Sequence, residues 1–364
     1  MKKRITTALI TMAAALNANA KLEAHEWGTF TSLVGSDGVT QTGLYHEDEK
    51  LPSFVYGFGE TRSPIAAPEP SPDDDCVYTK GGCFSRRRLQ PITQKMETPV
   101  IYFYSDQSQR IDVRVKFPKG VVTETYPAPI MTSPQTANSA LENGDTTFSV
   151  DITTAAFQYL PYVEPGNIYS HAREVASQYV TSGNDVEKFI FYRGLGRFQP
   201  RVSMTSAGGR LSLSAPAGSV PQAAFLVHVD EVGDGRLMRL TALDSKGSEI
   251  VSTRMMERLR THGPDNAFGR ILTGVDSSNA LIDSLVTAGL NKDEAVAMVR
   301  TWEHGYLKVP GLRLLYVLPR AEVDQILPIT MTPSPDKFER VFVGRIEILL
   351  DTEEERVLTE VANP

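Results

Sequence analysis

The sequence predicts a mainly β protein: a β-sandwich-like core with a smaller α/β carboxy-terminal part, α+β overall. Three observations predict it. Apolar residues recur at every second position, as where Ile111, Val113, Val115 and Phe117 alternate with Asp112, Arg114 and Lys116. Val/Ile/Phe/Tyr runs are closed by Gly and Pro turns, as at Pro118-Lys119-Gly120. Helical spacing is rare, and two of the three helical segments lie beyond residue 260.

The elements follow in chain order. Lys2, Lys3 and Arg4, an apolar stretch from Ile5 to Leu16, and Ala18-Asn19-Ala20 have the three parts of a cleaved secretory leader over residues 1–20. Residues 21–97 read as a loop-rich amino-terminal segment. It contains a Pro-rich stretch at Pro64–Pro72 and an acidic loop bounded by Cys76 and Cys83. With Gly81-Gly82 to turn the chain, an oxidising compartment would make these two cysteines a local disulfide. Residues 98–260 read as the sandwich-like region. Its strands are expected at Pro99–Tyr104, Ile111–Phe117, Thr146–Ile152, Lys188–Tyr192, Arg201–Thr205 and Leu211–Ser214. A hairpin is expected where Phe225–Val229 and Leu237–Leu240 flank Gly233-Asp234-Gly235. One helix is expected at Ser170–Val180, capped by Ser170.

Residues 261–364 read as the mixed α/β region. Helices are expected at Asp276–Ala288 and Asn291–Trp302, joined tightly at Gly289-Leu290, and strands at Leu312–Leu318 and Val341–Leu350. Asn291 with Glu294 three residues on is a capping-box pattern. The amino-terminal part and the last strand are candidates to pair with each other.

Composition excludes several classes. The 364 residues carry 37 Lys+Arg against 44 Asp+Glu. Without the leader's three cations the net charge is about −10. Acidity on this scale disfavours non-specific nucleic-acid binding, so no nucleic-acid partner is expected. Two cysteines cannot build a disulfide scaffold or a Cys-rich zinc site. After the leader no apolar run reaches the length of a bilayer-spanning helix, so no transmembrane segment is expected in the mature chain. A soluble periplasmic or secreted protein, cleaved near Ala20, is the expectation.

No dinucleotide fingerprint, P-loop, nucleophile elbow or H-E-x-x-H motif is present. The two tryptophans, Trp27 and Trp302, each lie beside a Glu–His pair: His25-Glu26 and Glu303-His304. Imidazole and carboxylate against an aromatic wall suit a metal centre, so these four are the candidate ligands of a divalent metal such as zinc. Glu97, expected just before an apolar strand, and Arg193, expected just after one, are the candidate catalytic residues. Arg193 would hold an anionic group.

Three phrases, His25–Ser32, Lys95–Tyr104 and Arg340–Arg345, resemble stretches of an uncharacterised family of predicted secreted bacterial proteins. That resemblance implies bacterial export and no particular activity. Two functional readings follow. The first is a metal-assisted hydrolase, in which the two ends of the mature chain approach each other. The second is a non-catalytic β-sandwich binding or envelope-assembly protein, presenting Tyr and Arg on loops to a small-molecule, glycan or peptide ligand.

Overall fold

The computed structural model describes residues 21–44, 50–58, 76–79, 82–85, 89–134, 141–156, 159–261 and 271–362. The expected leader at 1–20 lies outside them. So do most of the Pro-rich and acidic stretch and residues 262–270.

The protein is mainly β, with helices concentrated towards the carboxy-terminal part. Its centre is a nine-stranded sheet. The strands, in chain order, are β1 (Leu22–Val34), β2 (Gln94–Ser105), β3 (Gly120–Tyr126), β4 (Ile190–Gly196), β5 (Ala223–Val229), β6 (Gly235–Arg239), β7 (Ile271–Thr273), β8 (Gly311–Val317) and β9 (Lys337–Ile348). Their order across the sheet is β7-β6-β5-β8-β9-β1-β2-β4-β3. Every neighbouring pair is antiparallel except β1 and β9, which run parallel with Trp27 opposite Val341. The first and last strands of the fold therefore pair at the middle of the sheet. A parallel pair needs a crossover connection, and here almost the whole chain intervenes.

One face of this sheet packs on a second, antiparallel sheet. Its main strands are Gln109–Phe117 and Gly144–Thr153, with Ile329–Thr332 and Tyr179–Ser182 outside them. The inward residues Ile111, Val113, Val115 and Phe117, the alternation read from sequence, share a core with Phe30, Met96 and Ile346 of the main sheet. This is the sandwich. The other face carries two helices, α1 (Gly274–Thr287) and α2 (Lys292–Leu307), over a core holding Trp27, Tyr102, Phe225, Trp302 and Val343. A strand buried on both faces needs apolar or paired side chains on both, which is why β1, β2 and β9 lack strict alternation.

The sheet draws strands from all three segments expected after the leader, and position 97/98 falls inside β2. The expected helix at Ser170–Val180 is one turn, Tyr169–Ala172, begun at Ile168. Ser170 does not cap it; its hydroxyl donates to the Asn167 carbonyl at 2.8 Å. Beyond it the chain turns extended because Val180 pairs with Ile152 in the second sheet. The helix after Asn291 runs to Leu307, five residues past its expected end, because Tyr306 and Leu307 add a buried turn. Among the described residues no helix is long and apolar enough to cross a membrane.

Candidate functional site

The candidate residues fall at the middle of the main sheet, where register shifts line up across strands. β1 and β2 slip between Trp27 and Thr29. β4 slips against β2 between Phe191 and Gly194, and against β3 between Arg193 and Gly194. Thr98, inside β2, has φ of 42°, a left-handed conformation unusual for a β-branched residue. Bulges of this kind re-aim side chains and recur beside functional sites.

On the helix-covered face the bulged zone holds a buried polar cluster. Lys95 Nζ lies 3.0 Å from Glu97 Oε1. The Thr31 hydroxyl donates to the other Glu97 oxygen. Beside it the hydroxyls of Thr29 and Tyr306 share a hydrogen bond of 2.6 Å. Burial would raise the Glu97 carboxyl. The charges of Lys95 and Arg345, with the Thr31 hydrogen bond, outweigh it and hold Glu97 below the ordinary carboxylate value. Arg345 in turn is 2.6 Å from Glu347, which also accepts from Arg313 at 3.0 Å. Glu97 is thus not just before a strand, as expected from sequence, but the fourth residue of a central strand. Arg193 is likewise inside β4, buried and opposite Glu124 of β3, rather than beyond a strand end. The expectation ended that strand at Tyr192; Gly194 and Gly196 let it continue where the β3 backbone and Phe117 crowd close.

His25 and Glu26 are adjacent on β1 and so point to opposite faces. His25 faces the helices, its Nδ1 2.9 Å from Glu294 Oε2 at the start of α2. Glu294 also accepts from Tyr104 at 2.5 Å and from the Asn291 backbone N–H at 2.7 Å, one half of the expected capping box. Glu26 faces the sandwich core. It accepts from Tyr192, and from Arg340 Nε at 2.5 Å. Arg340 Nη1 reaches Asp324 at 2.7 Å. Burial, then the Glu26 charge, pushes the Tyr192 hydroxyl well up.

Glu303 and His304 lie about 14–15 Å further along α2 than Glu294, at 1.5 Å per residue. His304 is exposed, and Glu303 pairs with Lys308 at 3.2 Å. The four expected metal ligands therefore do not converge. Two neighbours on a strand are divided by the sheet, and the other two sit near the far end of a helix. Among the described residues no three His, Cys, Asp or Glu side chains are grouped to hold a metal ion. The chain ends do approach, as the hydrolase reading required, yet they meet through backbone pairing. Trp27 and Trp302 belong to one core. Cys76 and Cys83 fall on a two-stranded hairpin, in register with Ser85 and Tyr78, two positions apart along the ladder.

Sequence reasoning missed Lys95, Thr31, Arg345, Glu294 and Arg340 as partners. Their signal is positional: four of the five lie on the adjacent central strands β2, β1 and β9. A charge inside an otherwise apolar central strand implies a buried partner. Chemically, this arrangement keeps its carboxylates inside the sheet and on partners, with Lys95 and Glu97 each about 5% exposed. It makes a rigid scaffold.

Outside the sheet, Tyr159 and Tyr162 stand 84% and 75% exposed on one loop. The loop is tied down between them, where Arg173 Nη1 donates to the Pro161 carbonyl at 2.8 Å. Arg173 is itself fixed on Glu187, which is fully buried, at 2.6 Å. Burial pushes the Glu187 carboxyl up against the opposing charge of Arg173. No protein-family model matches this chain, and no curated protein shows significant similarity to it.

Proposed function

We propose that the protein is an exported, non-catalytic binding protein that holds a glycan on the Tyr159–Tyr162 loop. The observation that carries this reading is the pair of exposed tyrosines on a loop anchored by a buried ion pair. Exposed rings on an ordered loop offer flat apolar faces and a polar tip at low entropic cost. A saccharide ring, apolar on its faces and hydroxylated at its edge, matches both. The candidate acid/base groups, by contrast, are buried and occupied by partners, which does not favour catalysis. Export rests on the leader-like first twenty residues; the diagonal placing of Cys76 and Cys83 on the hairpin ladder does not suit the local disulfide expected from sequence.

The test is binding of the mature protein to bacterial cell-wall glycans and to a peptide library, with a Tyr159→Ala/Tyr162→Ala double variant beside it. Saturable glycan binding lost in the double variant, with thermal stability unchanged, supports the reading. Glycan binding that survives the double substitution, no binding to any saccharide, or binding only to peptides overturns it. The mass of the protein recovered from the periplasm tests leader removal.

A further inference from the structure

The helix Thr253–Thr261 lies against β5 and β6, on the sandwich-side face of the main sheet. Met256 and Leu259 seat it, buried in one core with Leu226 of β5 and Met238 of β6. A nine-residue helix does not hold by itself in water, so this one stays formed and in place through that packing. His228, two residues beyond Leu226 on β5, points to the same face. It is half-buried, and its Nδ1 is buried without a partner among the described residues. What faces it is positive. Arg236 of β6 stands directly opposite it in the register. Arg260, in the last turn of the helix, brings a second guanidinium, and its Nε is also buried without a partner among the described residues. Arg313 of β8 follows the residue opposite His228 and adds a third charge. One acid, Asp230 of β5, answers them, and it is already occupied. It accepts from Arg236 Nη1 at 3.3 Å and from the N–H groups of Asp234 at 2.9 Å and Val232 at 3.2 Å. Glu347, 3.0 Å from Arg313 Nε, is committed to that arginine.

We propose that His228 is an acid-sensitive latch for the helix Thr253–Thr261: protonation of its imidazole drives the last turn of the helix off the sheet and uncovers Met256 and Leu259. A neutral ring sits among the three guanidinium groups without Coulombic penalty. A protonated ring adds a fourth cation, and like charges directly opposite on neighbouring strands repel. Burial, then the charges of Arg260 and Arg236, outweigh Asp230 and hold the imidazole below its ordinary 6.5. When the helix lifts, Arg260 leaves with it and water reaches the ring, so the lifted state binds the proton more tightly than the docked one. The sign follows by linkage. Docking is fully stable above the ordinary value and loses stability as the pH falls through 6.5 towards the lower docked value. The latch concerns other elements than the Tyr159–Tyr162 loop, so it stands apart from the glycan reading.

The test is backbone hydrogen exchange of the mature protein, read by mass spectrometry and corrected for the intrinsic pH dependence of exchange. Protection over residues 255–261 should fall by about threefold or more between about pH 7.5 and about pH 5.5. The amides of β1, at the middle of the sheet, report global opening and should keep their protection over the same range. His228→Gln cannot take up the proton and should flatten the response of the helix. Arg260→Gln removes the facing charge, leaves the imidazole in place and should shrink the response. If His228→Gln itself loosens the helix at neutral pH, Arg260→Gln decides, and an undiminished response there overturns the proposal. Wild-type protection at 255–261 that does not change with pH, that falls by the same factor in His228→Gln, or that falls only together with β1 also overturns it.

Discussion

Lys95 and Glu97 stand two residues apart on the same face of one central strand, joined Nζ to Oε1 at 3.0 Å and each about 5% exposed. Burying a charge is tolerable only when its partner stays in place. Glu97→Leu leaves the Lys95 ammonium without its counter-charge and Thr31 without its acceptor. We expect a loss of about 3–5 kcal/mol of unfolding free energy, measured by urea denaturation. The double variant Lys95→Met/Glu97→Leu should be less destabilised than Glu97→Leu alone. A larger loss in the double variant would show that the pair does not act as a pair.

Glu97 also sets a pH dependence. Lys95, Arg345 and Thr31 hold its folded-state value below the ordinary 4.5. Its contribution to stability is therefore complete above the unfolded value and is lost as the pH falls through it towards the lower folded value. Stability measured in urea between about pH 6 and pH 3 should fall more steeply for the wild type than for Glu97→Gln. Parallel curves would remove Glu97 from the account.

Glu294 has three employments: the Asn291 N–H, the Tyr104 hydroxyl and His25 Nδ1. A capping contact alone is worth about 1 kcal/mol. Glu294→Ala should cost about 3 kcal/mol, because it also strands a buried imidazole and a largely buried hydroxyl. Asn291→Ala, which removes a cap and a contact to Tyr104 but leaves Glu294 on His25, should cost less, about 1–2 kcal/mol. Equal losses for the two would mean that His25 does not depend on Glu294.

Gly344 faces Tyr316 across β9 and β8. A Cβ at position 344 would lie 2.2 Å from the Tyr316 ring, which is buried and has little room to move. Gly344→Ala should destabilise by about 1–3 kcal/mol, the usual cost of overpacking. Tyr316→Leu in the same chain should restore part of it, read as a rise in thermal midpoint over Gly344→Ala alone.

Arg173 holds the aromatic loop through Pro161 and is anchored on Glu187. Arg173→Lys keeps the charge but gives up the planar fork. The variant should fold, with the loop around Tyr159 and Tyr162 cut sooner in limited proteolysis. An unchanged cutting rate would deny the anchoring role.

Much of the fold was legible in the residues. The strand Gln109–Phe117, with one face in the core and the other largely in solvent, announced itself by alternation. So did the α1–α2 hairpin, through its Gly289-Leu290 joint and the Asn291–Glu294 spacing. The first strand was not legible. His25-Glu26-Trp27 alternates nothing, because both faces of β1 are buried and its polar side chains find distant partners: Glu294 for His25, Arg340 for Glu26, Tyr306 for Thr29 and Glu97 for Thr31. Ser170–Val180 misled in the opposite way. Its local spacing suits a helix, yet pairing to the second sheet claimed Val180.

By itself the sequence determined the β-rich class, the positions of about half of the described strands and which residues carry unusual charge. Only the tertiary structure decided what those charges do. Local patterning depends on neighbours a few residues apart, whereas an ion pair between Glu26 and Arg340 depends on strands 314 residues apart lying side by side. Residues consecutive in the chain were separated by the thickness of a sheet, and residues at its two ends were brought together, because backbone pairing and two-sided burial rank above sequence proximity.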